Sequence, residues 1–220
     1  DQAHRRLEQR RPALLYPQLP QFERLRARLD QMRSYWRRWA DAWASDFGSA
    51  CTTHGFLPDD SLQQRTIFEQ VVRPMTEESG VTAYFVVDAL RFEMAEELFQ
   101  SLKDTPATTI SLNPRLAELP TVTEVGMNVL APVVNLGKLR PSLSKNKIQG
   151  FSTGEFNVFN PDSRKRAMHG RVGGGTCPWL TLEEVLGRDS VGLKRTVSQA
   201  KLVVVHSKEI DSAGEKGVGP

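Results

Sequence analysis

Residues 81–88 read Val-Thr-Ala-Tyr-Phe-Val-Val-Asp, and this stretch decides the fold. It is a continuous β-prone run without polar alternation, which is typical of a strand covered on both faces. Residues 201–206 contain a second run of this kind. Residues 89–102 lie between the two runs and carry leucine and methionine at helical spacing, which predicts a helix. Strands separated by helices predict an α/β fold with a mostly parallel sheet.

Weaker patterns fill the rest of this half of the chain. A short strand is predicted at residues 107–112 and helices at residues 124–130 and 181–186. The long stretch 131–178 has no sustained period and is predicted to be irregular.

The first 79 residues predict a helical region that precedes the α/β domain of residues 80–220. Apolar residues recur in steps of three and four from Phe22 to Trp43, and Gly48 is predicted to end this helix. Its aromatic stripe is predicted to be a core or docking face. A second helix is predicted to run to about Pro74 from one of three capping residues, Asp59, Asp60 or Ser61.

Composition excludes several classes of protein. With 220 residues, 39% hydrophobic and 25% charged, the chain is not a disordered tail, a collagen or a small disulfide scaffold. No run approaches the roughly 20 apolar residues of a membrane span. Cys51 and Cys177 lack metal-type spacing, which predicts reduced thiols and a cytoplasmic protein. The start lacks a Met and a leader peptide, from which we expect a piece of a longer protein.

The net charge of +3 is unevenly distributed. Residues 1–50 hold ten Arg against six acids, and residues 138–171 hold eight Lys or Arg against two acids. Such stretches face phosphate in some proteins and solvent in others. Both interpretations stay open from the sequence.

Acidic residues follow both predicted strands directly. Asp88 ends the first, and the segment 206–211 with Asp211 follows the second. In a parallel sheet, ligands bind outside the carboxyl ends of the strands. The two acids predict a cation site at this edge, whereas Asp88 alone is equally consistent with a structural role.

Residues 119–132 contain a third candidate segment, in which Pro120, Thr121 and Thr123 precede a helix-like run. Thr123 is predicted at or beside the helix N-cap, close to the positive end of the helix dipole. Thr121 and Glu124 are three residues apart, which is also the spacing of a capping box. The same geometry favours a threonine alkoxide when a metal ion ligates the oxygen.

Three motifs together resemble the PglZ domain, a member of the alkaline phosphatase superfamily associated with bacterial BREX phage-defence systems. They are residues 87–98, VDALRFEMAEEL, residues 119–127, LPTVTEVGM, and residues 205–215, VHSKEIDSAGE. The resemblance spans about residues 80–217 and implies the N-terminal half of an alkaline-phosphatase-like domain. Other BREX proteins are the partners that it implies.

The resemblance also implies a chemistry. Superfamily members place a Thr or Ser nucleophile between two divalent metals, often zinc, with manganese or magnesium possible here. Asp88 and Asp211 correspond to metal ligands, and Thr123 corresponds to the nucleophile and a further ligand, with Thr121 as the alternative nucleophile. Glu215 stands where many members have a histidine ligand. This departure favours an oxygen-rich site and puts zinc specificity in question.

Two nearby residues keep alternative roles. Arg91 is expected either to reach a phosphate oxygen or to pair with Glu93 or Asp211. His206 is expected more as a strand-end residue bonded to backbone than as a metal ligand. The superfamily's downstream Asp-His-Gly motif and later histidine are not found here, so we expect these residues alone to build only part of a two-metal site.

The leading hypothesis is a metal-dependent phosphodiesterase acting on nucleic acid or a nucleotide, because the basic stretch 138–171 would hold flanking phosphates. The alternative is a non-catalytic scaffold or interaction module of the defence complex, supported by the Arg-rich, Trp-striped helix. A Rossmann or kinase-type nucleotide site is rejected because the Gly-Gly-Gly at 173–175 lacks the flanking pattern.

Overall fold

A computed structural model describes residues 2–134, 138–173 and 176–216. The chain forms two compact units, Asp1–Leu57 and Pro58–Pro220. The domain boundary after residue 79, drawn from the sequence pattern, stays a prediction.

The first unit contains α1 (Gln2–Leu14) and α2 (Phe22–His54). The predicted end of α2 at Gly48 is wrong, since the helix continues for two more turns. An isolated glycine costs a helix only about 1 kcal/mol, which the surrounding turns tolerate. The helix ends at Gly55, whose φ of 81° lies in the left-handed region and whose N–H donates to the carbonyl of Cys51.

The aromatic stripe of α2 is exposed. We call it the aromatic face, and its rings are 40–60% exposed: Tyr35, Trp36, Trp39, Trp43 and Phe47. Trp43 and Phe47 stack with ring centroids 5.7 Å apart. The stripe is therefore not a core in the described part of the chain, and the docking role stays a prediction.

The second unit holds the sheets and the shorter helices. Its strands are β1 (Thr82–Val87), β2 (Pro141–Ser144), β3 (Lys147–Ser152), β4 (Asn157–Val158), β5 (Trp179–Thr181) and β6 (Leu202–Ser207). Its α-helices are α3 (Arg73–Glu77), α4 (Phe92–Leu102), α5 (Thr123–Gly126), α6 (Pro161–Val172), α7 (Leu182–Gly187), α8 (Ser190–Val197) and α9 (Glu209–Lys216).

The predicted parallel sheet is confirmed. Its order is β1-β6-β5, and both pairings are parallel. The central strand β6 is buried at every position, as expected of a strand covered on both faces. The register pairs Val86 with His206 and Val87 with Ser207, so β1 and β6 end side by side. Helices flank the sheet, and the fold is mixed α/β.

The stretch predicted to be irregular contains regular structure, so that prediction is wrong. β2, β3 and β4 form an antiparallel sheet, and α6 follows it. These strands are short and their apolar residues are interrupted by Ser, Gln and Gly, so the strand pattern is weak. Gly150 lets β3 approach β4, because a Cβ there would lie 2.0 Å from the Val158 carbonyl oxygen. Residues 135–137 of this stretch, and 174–175 of the Gly-Gly-Gly motif, lie outside the described residues.

Two other predictions need correction. The helix expected from Asp59, Asp60 or Ser61 to Pro74 is a series of 3₁₀ and π turns that leads into α3. Residues 107–112 form no strand in the described structure. A tertiary contact replaces the local pattern in the first case, since Gln63 forms a bridge with Leu116.

The main core lies between the parallel sheet and the elements around it. It joins Phe68 and Val72 of the 58–79 segment to Val86 of β1 and to Leu202 and Val204 of β6. The 58–79 segment therefore packs within the second unit. No helix among the described residues combines the length and the apolar character needed to cross a membrane.

Candidate active site

Asp88 lies at the carboxyl edge of the parallel sheet. Its backbone N–H donates to the Ser207 carbonyl oxygen at 2.9 Å, which joins the ends of β1 and β6. Ala89 has a φ of 58°, and its N–H donates to Asp88 Oδ1 at 3.0 Å. The carboxylate is only 8% exposed and forms no salt bridge with another described residue. It is a buried carboxyl group that faces a cleft.

Thr123 begins α5, and its side chain is exposed. Val122 occupies the N-cap and has no side-chain capping bond, so the capping box expected from Thr121 and Glu124 does not form. The reason is register, because α5 begins two residues after Thr121. The helix is held by Val125, which is fully buried in the core.

A buried ion pair anchors the chain just before Thr123. Arg65 Nε donates to Glu118 Oε2 at 2.7 Å, and a second contact joins Nη2 to Oε1. Gln64 adds two bonds, because its Oε1 accepts from the Glu118 N–H and its Nε2 donates to the Gly126 carbonyl oxygen. These bonds tie the turns at 60–66 to both sides of α5.

Three acidic or hydroxyl residues from remote parts of the sequence line one cleft of about 260 Å³. They are Asp88 after β1, Thr123 at the start of α5 and Asp211 in the first turn of α9. Thr121 lines the same cleft. We call this space the acidic cleft. The structure thus brings together three of the residues predicted from separate motifs.

Arg91 and Glu215 line a neighbouring cleft of about 410 Å³ instead. Asp211 belongs to both clefts, and Glu215 lies one turn further along α9. The described residues Arg91 and Asp211 share this cleft without a salt bridge between them. Glu215 is exposed and does not line the acidic cleft.

A third cavity, of about 160 Å³, contains residues that sequence reasoning did not single out. Asp88 and Thr123 line it together with Arg164, His206 and Lys208. We call it the basic cavity. Arg164 is 5% exposed on α6. It lies in the basic stretch 138–171, so charge indicated the region but could not select the residue.

Burial dominates the electrostatics of the basic cavity. It lowers the pKa of Arg164, and the charge of Asp88 opposes this effect. Burial also lowers the pKa of His206, as do the charges of Arg164 and Lys208, whereas Asp88 and Glu209 raise it. Burial and the two nearby cations thus favour the neutral form of the His206 imidazole, which lies between charges of both signs.

A larger groove of about 1020 Å³ lies beside the segment that carries Thr123. Its lining includes Val122 and Glu124, Lys145 of the β2–β3 turn and Lys147 at the start of β3, and Phe159 contributes an exposed ring. This groove presents cations and one aromatic ring next to Thr123.

The donor set fits part of a metal centre. Asp88, Thr123 and Asp211 supply oxygen ligands, which hard divalent cations prefer, and Asp88 is a buried carboxylate without a countercharge within salt-bridge reach among the described residues. Across residues 2–134, 138–173 and 176–216, no group of three or more His, Cys, Asp or Glu is close enough to hold a metal ion. Asp88, Thr123 and Asp211 therefore fit part of the ligand set of one divalent cation.

The fold and the site define an alkaline-phosphatase-like α/β domain. The family model described as the BREX system PglZ alkaline phosphatase-like domain matches residues 67–218, and the chain belongs to this family. It is also similar to the alkaline phosphatase-like protein BrxZ of Escherichia coli O9:H4 (strain HS), with 36% identity over 72 residues. That match covers 32% of this chain and 8% of the relative. No solved structure matches the chain.

Proposed function

We propose that this chain carries the nucleophile and part of the metal-binding residues of a metal-dependent phosphoesterase in a BREX phage-defence system. The observation that carries the proposal is the meeting of Asp88, Thr123 and Asp211 at one cleft, although they are 35 and 88 residues apart along the chain (123 − 88 and 211 − 123). Other BREX proteins are its proposed partners. We place it in the cytoplasm, where Cys51 and Cys177, both unpaired, would stay reduced.

Each residue has a distinct part in this mechanism. The exposed hydroxyl of Thr123 loses its proton to water as its Oγ1 forms a bond with phosphorus. The bond from phosphorus to the leaving oxygen breaks, and that oxygen departs with the electron pair and takes a proton from water. Water then releases the phosphoryl group from Thr123. Asp88 and Asp211 would hold a divalent cation, zinc or alternatively manganese or magnesium, which supplies stabilisation of negative charge at the reacting oxygens. Glu215 and Arg91 line the neighbouring cleft, so they would contact the substrate or the cation from outside the acidic cleft.

The substrate that we propose is a phosphodiester of nucleic acid or a nucleotide. The groove beside Thr123 supports this choice, because Lys145 and Lys147 would bind flanking phosphates and Phe159 offers a ring for base stacking. A monoester would leave such a groove largely unused.

The test is hydrolysis of a phosphodiester by the intact protein. Thr123→Ala and Asp88→Ala are each expected to lower activity by about a thousandfold or more, since loss of a nucleophile removes the main reaction path. Thr121→Ala separates the two candidate nucleophiles. Thr108→Ala is the matched control, because Thr108 is exposed and its hydroxyl donates to the Thr105 carbonyl oxygen outside the site. Full activity of both cleft variants would rule out the proposal.

A second candidate function is a non-catalytic scaffold of the defence complex. The specific observation in its favour is the aromatic face of α2, whose rings are exposed in an otherwise polar helix. Metal content distinguishes the two functions. If intact protein prepared with zinc or manganese binds neither ion and keeps its Tm in chelator, the scaffold function is favoured over the hydrolase.

A further inference from the structure

Two buried polar atoms in the basic cavity have no hydrogen-bond partner among the described residues. They are Nε of Arg164 and Nε2 of His206, and the two side chains are 5% and 8% exposed. Buried polar groups in native proteins are almost always satisfied. Two residues that line one cavity thus each carry an unpaired nitrogen, which indicates a ligand with several acceptor or donor atoms.

The guanidinium of Arg164 is fixed by a hydrogen bond to a buried side chain. Its Nη1 donates to Asn128 Oδ1 at 2.8 Å, and Asn128 is fully buried and donates through Nδ2 to the Glu124 carbonyl oxygen at 2.6 Å. Glu124 is the second residue of α5, directly after Thr123. The guanidinium is thus connected by two hydrogen bonds to the helix that carries the proposed nucleophile. A tethered cation of this kind is suited to recognising a fixed anionic group.

The cavity also has room for a small anion. Its volume of about 160 Å³ is several times the roughly 30 Å³ that one water molecule occupies. Lys208 contributes a second cation to the wall, at the point where β6 passes into α9. Asp88 and Glu124 line the cavity too, so two carboxylates share its wall with the two cations, and Asp88 also lines the acidic cleft.

We propose that Arg164, Lys208 and His206 form a subsite for the non-bridging oxygens of the phosphoryl group that Thr123 attacks. This inference rests on the proposed function for its substrate. It assigns the two sides of the site different tasks: the acidic cleft holds a cation, and the basic cavity holds the phosphoryl oxygens. Thr123 and Asp88 line both spaces, so the reacting phosphorus would lie between them.

The first test measures binding of inorganic phosphate to the 220-residue chain in chelator, by calorimetry. Saturable binding is expected for the unmodified chain. Arg164→Gln is expected to weaken it about tenfold to a hundredfold, as loss of a charge-assisted hydrogen bond does. Arg166→Gln is the matched control, since Arg166 lies on the exposed side of the same helix and the charge change is identical. Its binding is expected to equal that of the unmodified chain.

A second variant keeps the test valid if Arg164→Gln does not fold, as judged by circular dichroism. Lys208 is exposed, so Lys208→Gln is expected to fold and to weaken phosphate binding by about threefold to tenfold. Absence of phosphate binding in the unmodified chain would overturn the subsite. Binding by Arg164→Gln, or in its place by Lys208→Gln, that equals the Arg166→Gln control would also overturn it.

A third variant separates this inference from the proposed function. Thr123→Ala removes the nucleophile but leaves both cations, so it is expected to bind phosphate and to lack hydrolysis in the intact protein. If Thr123→Ala keeps hydrolysis while Arg164→Gln loses phosphate binding, the proposed function fails and the anion site stands. If Thr123→Ala abolishes hydrolysis while Arg164→Gln binds phosphate and hydrolyses the diester normally, the subsite fails and the proposed function stands.

Discussion

Both units contain regular patterns of apolar residues, but the aromatic face of the first unit is exposed and the strand β6 of the second unit is buried. In the first unit, Trp39 and Trp43 lie on a clean helical stripe, and each is 60% exposed. In the second unit, Leu202 and Val204 lie on a short strand and are fully buried. Periodicity identifies which residues share a face, but the burial of that face depends on what the rest of the chain can place against it.

Polar residues differ between the units in the same way. The pair Arg33–Glu8 in the first unit has an N–O distance of 3.0 Å, with side chains 41% and 31% exposed. The pair Arg65–Glu118 in the second unit has side chains 9% and 10% exposed. A buried pair restricts the backbone at both of its ends, whereas a solvated pair does not. The buried pair in the second unit therefore fixes the chain beside the acidic cleft, which Glu118 lines.

Removing the arginine from each pair tests this difference with the largest expected effect. Arg65→Met leaves the Glu118 carboxylate buried without a partner and is expected to cost about 3–5 kcal/mol of unfolding free energy. Arg33→Met is the matched change at the solvated pair, with an expected cost of about 0–1 kcal/mol. Amide hydrogen exchange measures both units separately in each variant. Equal costs would contradict the comparison.

Truncating one apolar residue in each unit tests the difference in burial between the two units. Leu202→Ala is expected to destabilise the second unit by about 2–5 kcal/mol, because it leaves a cavity in the central strand. Trp39→Ala removes a larger side chain, but its expected effect on stability is within about 0.5 kcal/mol because that ring is exposed. Urea denaturation of both variants gives the two free energies. A large loss in Trp39→Ala would mean that the aromatic face is covered in solution.

The helix N-termini differ between the units by a smaller amount. α7 begins with a capping box in which Thr181 Oγ1 accepts from the Glu184 N–H at 3.1 Å. Thr181→Ala is expected to cost about 0.5–2 kcal/mol. Gln21 precedes α2 without a side-chain cap, so we expect Gln21→Ala to cost almost nothing. Thermal unfolding of the two variants measures this difference, and a larger Tm loss for Gln21→Ala would contradict it.

The capping box of α7 also predicts that stability depends on pH, and this is the smallest of the expected effects. The hydrogen bond from the Thr181 backbone lowers the pKa of Glu184, and the side-chain bond and Arg188 act in the same direction. A carboxylate with a lowered folded pKa stabilises the protein above its unfolded pKa. This contribution is therefore lost as the pH falls below the ordinary glutamate range. Glu184→Gln is expected to flatten the acid limb of the Tm–pH curve, and an unchanged curve would contradict the assignment.

Much of the fold was predictable because its strands are continuous apolar runs. The runs that form β1 and β6 predict a parallel sheet. Because Asp88 comes directly after β1, its place at the carboxyl edge of that sheet is predictable too. The β2–β3–β4 sheet and α6 were missed because their residues are polar and their pairing depends on close contact, as Gly150 against Val158 illustrates. The extent of α2 was misjudged because a single glycine is a weak helix stop.

The residues of the acidic cleft were more predictable from the sequence than those of the basic cavity. Asp88, Thr123 and Asp211 belong to recognisable motifs, and the structure brings them to one cleft, although their catalytic and metal-binding roles stay predictions. Arg164 was not predictable, because nothing in a basic stretch distinguishes the one arginine that is buried from those that are solvated. Its hydrogen bond to Asn128 joins residues that are 36 positions apart, so it exists only in the folded chain.

The amino-acid sequence by itself determined the parallel strands, the acids that follow them and the family to which the chain belongs. These features are local, since each depends on a few consecutive residues and on their backbone preferences. Tertiary structure alone decided which side chains share a cavity, which arginine loses its solvent and which aromatic residues stay exposed. Such properties depend on contacts between residues far apart in the chain, and no single segment encodes them.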